Sequence, residues 1–243
     1  MLVLQGLTKH FKAVRAVQDV SLTVKPGEVF GLLGANGAGK TTTLRMLATM
    51  LTPTAGTASI NGIDLIKKPD EIRKHVGLLF GGDTGLYERL TARENIVYFA
   101  ELNDMSKAEA NKRAEELAEA FNFTEYLSFR AKKLSKGTRQ KAALARSVVH
   151  NPTVMLFDEP MVGLDVTSRK DVEDFVFELK GKDKTIVLSD HNLDVITRLC
   201  DRVGILHKGS LMACGTIEDL CNSSGCGSLE EVFFKLAGRG NEE

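Results

Sequence analysis

The sequence predicts an α/β fold, and three observations carry that reading. An apolar run at 28–33 leads into a glycine-rich stretch at 34–39 and then into a helix-forming series from Thr42. Residues 91–150 carry helical periodicity instead. From about 152 onward, short apolar runs alternate with helical stretches again. A chain of 243 residues can bury a sizeable core. The expected arrangement is a β-rich N-terminal part and an α/β core, interrupted by a helical insertion.

Residues 1–62 read as β-rich apart from the helix after the glycine stretch. Positions 2–4, 17–24, 28–33 and 57–60 carry β-branched or alternating apolar residues, broken at Pro26-Gly27 and Asn61-Gly62. In the insertion, 107–121 shows a polar face and an apolar stripe of Ala110, Ala114, Leu117, Ala118 and Phe121. That stripe reads as core. A further helix is expected over 139–149. Residues 154–157 and 185–188 read as strands, each followed by a helix, near 167–180 and 192–200. Apolar runs at 203–206 and 211–213 flank His207-Lys208-Gly209-Ser210 and predict a hairpin. A tail helix over 229–236 ends near Gly238. There is no internal repeat.

Lys and Arg number 32, as do Asp and Glu, so no net field calls for nucleic acid or an anionic membrane surface. No run approaches the ~18 apolar residues of a membrane span. The first residues lack the basic-then-apolar layout of a secretory signal. The expectation is a soluble cytoplasmic chain that reaches a membrane only through a partner. Cys200, Cys214, Cys221 and Cys226 form no C-x-x-C pair, and free reduced thiols are expected. A redox pair of Cys221 and Cys226 is the alternative.

The chemistry starts at Gly34-Ala35-Asn36-Gly37-Ala38-Gly39-Lys40-Thr41-Thr42, which fits the phosphate-binding pattern G-x-x-x-x-G-K-[ST]. Strand, glycine loop and helix occur in the order the pattern needs. The glycines let backbone N–H groups converge on phosphate oxygens, and the helix start adds partial positive charge. Lys40 would reach the terminal phosphates and Thr41 would ligate Mg²⁺. Asp158 ends the apolar run 154–157 and Glu159 follows it. A carboxylate there can hold Mg²⁺, and an adjacent Glu can deprotonate an attacking water. Leu134-Ser135-Lys136-Gly137-Thr138-Arg139-Gln140 opens a helix with a capping Ser135 and a glycine that admits a phosphate.

Taken together, these segments resemble the nucleotide-binding subunits of ABC transporters, and the resemblance covers nearly the whole chain. Gly34–Thr41 is similar to Walker A, and the run ending at Asp158 to Walker B, with Glu159 in the place of the catalytic glutamate. Ser135, Lys136, Gly137 and Thr138 resemble the ABC signature, with Thr138 where Gln or Met is commoner. Gly163-Leu164-Asp165 resembles the D-loop, His191 the switch histidine, and Phe11 the aromatic that stacks on adenine. Asp165 could instead simply cap the helix after it. One departure stands out. The family carries a Gln after the strand at 76–80, but this chain continues Gly81-Gly82-Asp83-Thr84. Gly82 aligns with that Gln, and Asp83 or water would take over its contact with Mg²⁺. The following Leu90-Thr91-Ala92-Arg93-Glu94-Asn95 resembles the membrane-facing segment of single-cassette exporters, and the wording from 81 to 95 resembles the sodium-efflux type.

The resemblance implies a P-loop NTPase with a RecA-like core, an N-terminal antiparallel β-subdomain and a helical subdomain at about 85–150, all one domain, with tail helices at about 216–238. It implies ATP and Mg²⁺ as ligands and Glu159, His191 and Lys40 as catalytic groups. It also implies a head-to-tail pair with a second copy or a paralogue, in which Ser135–Thr138 of one subunit meets ATP held by the other. The subunit would power export, of Na⁺ or another small solute, from the cytoplasmic face through a separate membrane permease. A soluble ABC ATPase working on ribosomes or DNA is the alternative, although tandem cassettes, long coiled coils and a basic charge balance are all missing. A small-molecule P-loop kinase is a third reading, and the 134–140 segment argues against it.

Overall fold

The computed structural model describes residues 1–80 and 85–238. Strands β1 (Leu2–Phe11) and β2 (Val14–Val24) pair antiparallel, with Leu2 opposite Val24 and Phe11 opposite Val14. Burial alternates along the start of β1, where Leu2 and Leu4 face the interior, as a half-buried strand requires. β3 (Val29–Leu33) leads through the glycine loop into α1 (Lys40–Leu47). β4 (Ala55–Ile60) and β5 (Ile63–Asp64) complete a sheet of order β2-β1-β4-β5.

After α2 (Pro69–His75) and β6 (Val76–Phe80) come three helices, α3 (Ala92–Glu101), α4 (Lys107–Ala120) and α5 (Lys136–Val148). Thr91 and Ser106 start α3 and α4 with reciprocal capping boxes to Glu94 and Glu109. Each such cap is worth about 0.5–2 kcal/mol. The stripe Ala110, Ala114, Leu117, Ala118 and Phe121 is buried as its spacing predicts. α5 starts three residues before the predicted 139, because the Ser135 hydroxyl accepts the Thr138 N–H and caps the helix there.

The remaining chain alternates: β7 (Val154–Asp158), α6 (Val166–Lys180), β8 (Thr185–Asp190), α7 (Leu193–Leu199), β9 (Arg202–His207) and β10 (Ser210–Gly215). Helices α8 (Ile217–Ser224) and α9 (Leu229–Gly238) end the described chain. The second sheet has order β10-β9-β3-β8-β7-β6; the pairs from β9 to β6 are parallel, and the β9–β10 hairpin is antiparallel. β7 is buried on both faces. Met155 and Phe157 point into the core shared with α3 to α6, while Val154 and Leu156 point into the core shared with α1 and the first sheet. That double burial explains why the strand reads as a continuous apolar run.

The expected β-rich start, helical insertion and α/β core are therefore all present. Two features went unanticipated. β1 and β2 run much longer than their apolar cores at 2–4 and 17–24. Helix α2 buries only Ile72, too little to leave a periodic signature. No helix among the described residues is long and apolar enough to cross a membrane.

Candidate functional site

β3, β8 and β7 lie side by side, and their carboxyl ends share one edge of the sheet. Leu33 stands opposite Asp190, and Asp158 stands opposite Ser189. Ligands of parallel α/β sheets bind beyond this edge. The loop that leaves β3 here is pressed against the rest of the molecule. Gly39 has φ of 104°, and a Cβ on it would lie 2.6 Å from the Ala16 carbonyl oxygen. Only glycine fits there. No side chain caps α1, whereas Thr91, Ser106, Ser135 and Asp165 cap the starts of α3, α4, α5 and α6. The first N–H groups of α1 are thus open to an external anion. They face a cleft of about 140 Å³ lined by residues 36–42 with Ala16 and Glu159.

Lys40 is buried at 6% exposure, and its Nζ donates to the carbonyls of Gly34 and Ala35 at 2.6 and 3.2 Å. Burial holds its pKa below the usual lysine value, with Glu159, Asp158 and Asp190 opposing that shift. Thr41 Oγ1 donates to Asp158 Oδ2 at 2.7 Å, and Ser189 Oγ donates to the other carboxylate oxygen. Asp158 is consequently fixed at both oxygens. Glu159 adopts the left-handed region, with φ of 46°. For a residue with a Cβ this costs on the order of 1–3 kcal/mol and needs holding from outside. Its N–H donates to Ser189 O at 2.9 Å, and its Oε1 lies 2.9 Å from His191 Nδ1. Asp190 Oδ1 lies 3.7 Å from the same Nδ1, and burial raises the Asp190 pKa.

A second cluster gathers away from this cleft. Ser135 Oγ lies 2.8 Å from Thr138 Oγ1 as well as capping α5. Gly137 packs on α6; a Cβ there would stand 2.5 Å from Ser168 Oγ and 3.3 Å from Asp165 Oδ2. Asp165 caps α6 through the Ser168 N–H at 2.8 Å, and that hydrogen bond lowers its pKa. Lys136 lies against Gly163. None of Ser135, Lys136, Gly137, Thr138 or Asp165 lines the loop cleft. Hydrogen bonds bring Thr41, Asp158, Glu159 and His191 together beside the loop at 34–42, whereas Ser135–Thr138 pack on the segment after Glu159 and do not line the cleft.

Phe11 is exposed at the end of β1, with Lys9 Nζ 5.2 Å from its ring centre. It does not line the cleft, whereas Ala16 does. Gly82 and Asp83 lie outside the described residues. Sequence reasoning missed Ser189, which clamps Asp158, and Gln140, which reaches from α5 to the Pro160 carbonyl at 2.8 Å. Neither carries a signal beyond its position near a motif. Cys200 is buried, and its thiol is pushed far up by desolvation, so it is inert; all four cysteines are free.

The donor set suits a magnesium nucleotide. Hydroxyl and carboxylate oxygens meet at the mouth of an amide-lined loop, and Mg²⁺ prefers one or two such oxygens plus substrate phosphates. No group of three or more His, Cys, Asp or Glu side chains among the described residues forms a complete metal cage.

Comparison with known proteins agrees. Residues 17–162 match the family described as ABC transporter. The chain is 43% identical to the ABC transporter ATP-binding protein NatA of Bacillus subtilis over 99% of both chains. It is 38% identical to the daunorubicin/doxorubicin resistance ATP-binding protein DrrA of Streptomyces peucetius over 98% of this chain and 72% of that one. Among solved structures, an ATP-binding subunit of an ABC transporter superposes with a TM-score of 0.90 at 32% identity, covering 97% of this chain and 99% of that one. A dimeric ATP-binding cassette in a post-hydrolysis state with ADP and Pi superposes with a TM-score of 0.82 at 26% identity, covering 89% and 98%. On this sequence match and this fold, the chain belongs to the ATP-binding, ATP-hydrolysing subunits of ABC transporters.

Proposed function

We propose that this subunit works head to tail with a second copy or a paralogue, and that each ATP lies between residues 34–42 of one subunit and Ser135–Thr138 of the other. One observation carries the reading: each chain folds a capped signature helix start that lies outside its own loop cleft. Ser135 takes up only the Thr138 N–H, so the exposed α5 start at Ser135-Lys136 still has N–H groups and a hydroxyl to offer a phosphate on another subunit. Asp165, at the neighbouring α6 start, comes with it to the interface.

Within each site the chain's residues divide the work. The loop amides and Lys40 hold the phosphates, so Lys40 exchanges its carbonyl partners for phosphate oxygens. Thr41 and Asp158 would hold Mg²⁺, which would supply positive charge against the phosphates. Glu159 accepts the proton of the attacking water, and His191 stands beside it to sense the terminal phosphate. Phe11 and Lys9, at the exposed end of β1, supply the stacking surface for adenine. The whole chain acts as a single domain, with the helical subdomain at about 85–150 and the tail helices at about 216–238.

The membrane permease is a separate integral chain, and this subunit docks on it from the cytoplasmic face. A groove of about 580 Å³ supports this, bordered by Arg45, Phe80, Phe99, Arg146 and His150, at the carboxyl end of β6 where the 81–95 segment begins. The transport direction is outward, and the solute is Na⁺ or another small solute; the resemblance of the 81–95 segment favours Na⁺. The test is to isolate the tagged chain from its native membrane with its copurifying integral partner, reconstitute both in vesicles, and follow Na⁺ with a fluorescent indicator. ATP-driven Na⁺ movement into inside-out vesicles supports the proposal. ATP hydrolysis without Na⁺ movement removes sodium as the cargo, and failure to recover any integral partner removes the transport reading.

A further inference from the structure

Glu159 sits in a left-handed conformation that its own side chain disfavours. Upstream, its N–H is held by Ser189 O. Downstream, the next residue is held by one side chain from another element: Gln140 Nε2 of α5 donates to Pro160 O at 2.8 Å, both atoms being buried. Gln140 lies one helical turn beyond Gly137 and on the same face. That face is seated on the segment after Glu159, with Lys136 against Gly163 and Gly137 against Asp165 and Ser168. Lys141, next in sequence, forms a largely buried ion pair with Asp171 of α6. The start of α5 therefore cannot shift without moving the backbone that sets Glu159.

From this geometry we infer that Gln140 is a positioning residue that ties Glu159 of a subunit to the state of that subunit's own Ser135 segment. The inference rests on the head-to-tail reading above. There, Ser135 contacts the nucleotide held by the partner, while Glu159 serves the nucleotide held by its own chain. The Gln140–Pro160 bond then links the two ATP sites through one side chain: engagement of one nucleotide sets the base at the other. No proton or electron passes through Gln140; it acts by holding the Pro160 carbonyl.

Mixed dimers of the full chain, co-expressed with two tags and purified through both, provide the test. One subunit carries Glu159→Gln, so a single site turns over. Gln140→Met, which keeps length and volume but removes the N–H donor, is placed either beside the working Glu159 or in the other subunit. The expected result is a loss of kcat of roughly ten- to a hundredfold only when Gln140→Met shares a chain with the working Glu159, with KM for ATP unchanged. Equal loss in both placements, loss only in the other subunit, or no loss overturns the inference. Gln140→Glu guards against a folding defect, because its ionised carboxylate cannot donate to Pro160 O and its protonated form can. Its kcat deficit should shrink as pH falls, and a deficit independent of pH counts against the bond. Ser135→Ala in the same two placements tests the underlying reading separately. Placed in the subunit without the working Glu159, it removes a contact of the working site and should lower kcat most; placed beside the working Glu159, it acts only through Gln140 and should lower kcat less. Loss confined to the placement beside the working Glu159 refutes the head-to-tail site rather than the role of Gln140, and no loss in that placement overturns the coupling through Gln140.

Discussion

Glu159 Oε1 stands 2.9 Å from His191 Nδ1, and the two residues follow the ends of adjacent parallel strands. The carboxylate accepts from Nδ1, which fixes the tautomer. The proposed base and the proposed sensor are thereby joined by a direct hydrogen bond. Glu159→Gln preserves shape and removes the carboxylate proposed as the base. ATPase turnover should fall by roughly 10²–10⁴, with ATP binding retained and ATP-bound dimers accumulating on size exclusion. Turnover within a few fold of the parent would show that the base is another group.

Gly137 has a structural reason to be glycine that is separate from any phosphate. A Cβ there meets Ser168 Oγ at 2.5 Å and Ser168 Cβ at 3.3 Å. Alanine is the better helix former by about 1 kcal/mol, yet Gly137→Ala should destabilise by about 1–3 kcal/mol through overpacking. Adding Ser168→Ala removes the nearer atom and should recover part of that loss, a coupling above about 0.5 kcal/mol in a denaturation cycle. Strict additivity would place the clash elsewhere. Substitutions at Gly137 consequently disturb α5 packing as well as any intersubunit contact, which makes Ser135→Ala the cleaner probe of the interface.

Most of the candidate site was legible because its chemistry is local in sequence. The loop at 34–42 needs glycines at fixed spacing between a strand and a helix, and Asp158-Glu159 needs a strand end; both patterns survive in a single sequence. What stayed hidden is set by pairings across the fold. Ser189 clamps Asp158 only because β7 and β8 are neighbours, and Gln140 reaches Pro160 only because α5 lies over that turn. The lengths of β1 and β2 were likewise unreadable, since their exposed ends, Phe11 opposite Val14, are held by the ladder between them rather than by apolar burial.

Lys141 and Asp171 form a pair exposed by only 10% and 13%, and Asn122 also donates to Asp171 at 3.0 Å. Removing one partner strands a charge. Lys141→Met alone should cost about 3–5 kcal/mol, while Lys141→Met with Asp171→Leu should regain most of it. Chemical denaturation of the three variants checks this. A double variant as unstable as Lys141→Met would mean that the residual penalty is cavity or strain rather than unpaired charge.

His150 gives the fold a pH dependence with a definite sign. Its Nε2 contacts Val76 O at 3.2 Å, which makes Nε2 the protonated nitrogen of the neutral ring. Nδ1 is buried and has no partner. Burial pushes the His150 pKa below the usual histidine value; the hydrogen bond to Val76 opposes the shift, and the Lys184 charge adds to it. The unfolded chain therefore takes up this proton before the folded one does. Between the unfolded value of about 6.5 and the lowered folded value, the unfolded state binds more protons, so stability falls as pH falls. The contribution is complete above about 6.5 and is lost on acidification through the folded value. His150→Gln keeps a donor for Val76 O and cannot titrate. Its melting temperature should decline less than the parent's between about pH 7 and pH 5, once both are referenced to pH 7.5. Parallel melting curves across that window would show that His150 takes up its proton in the folded state as easily as in the unfolded one.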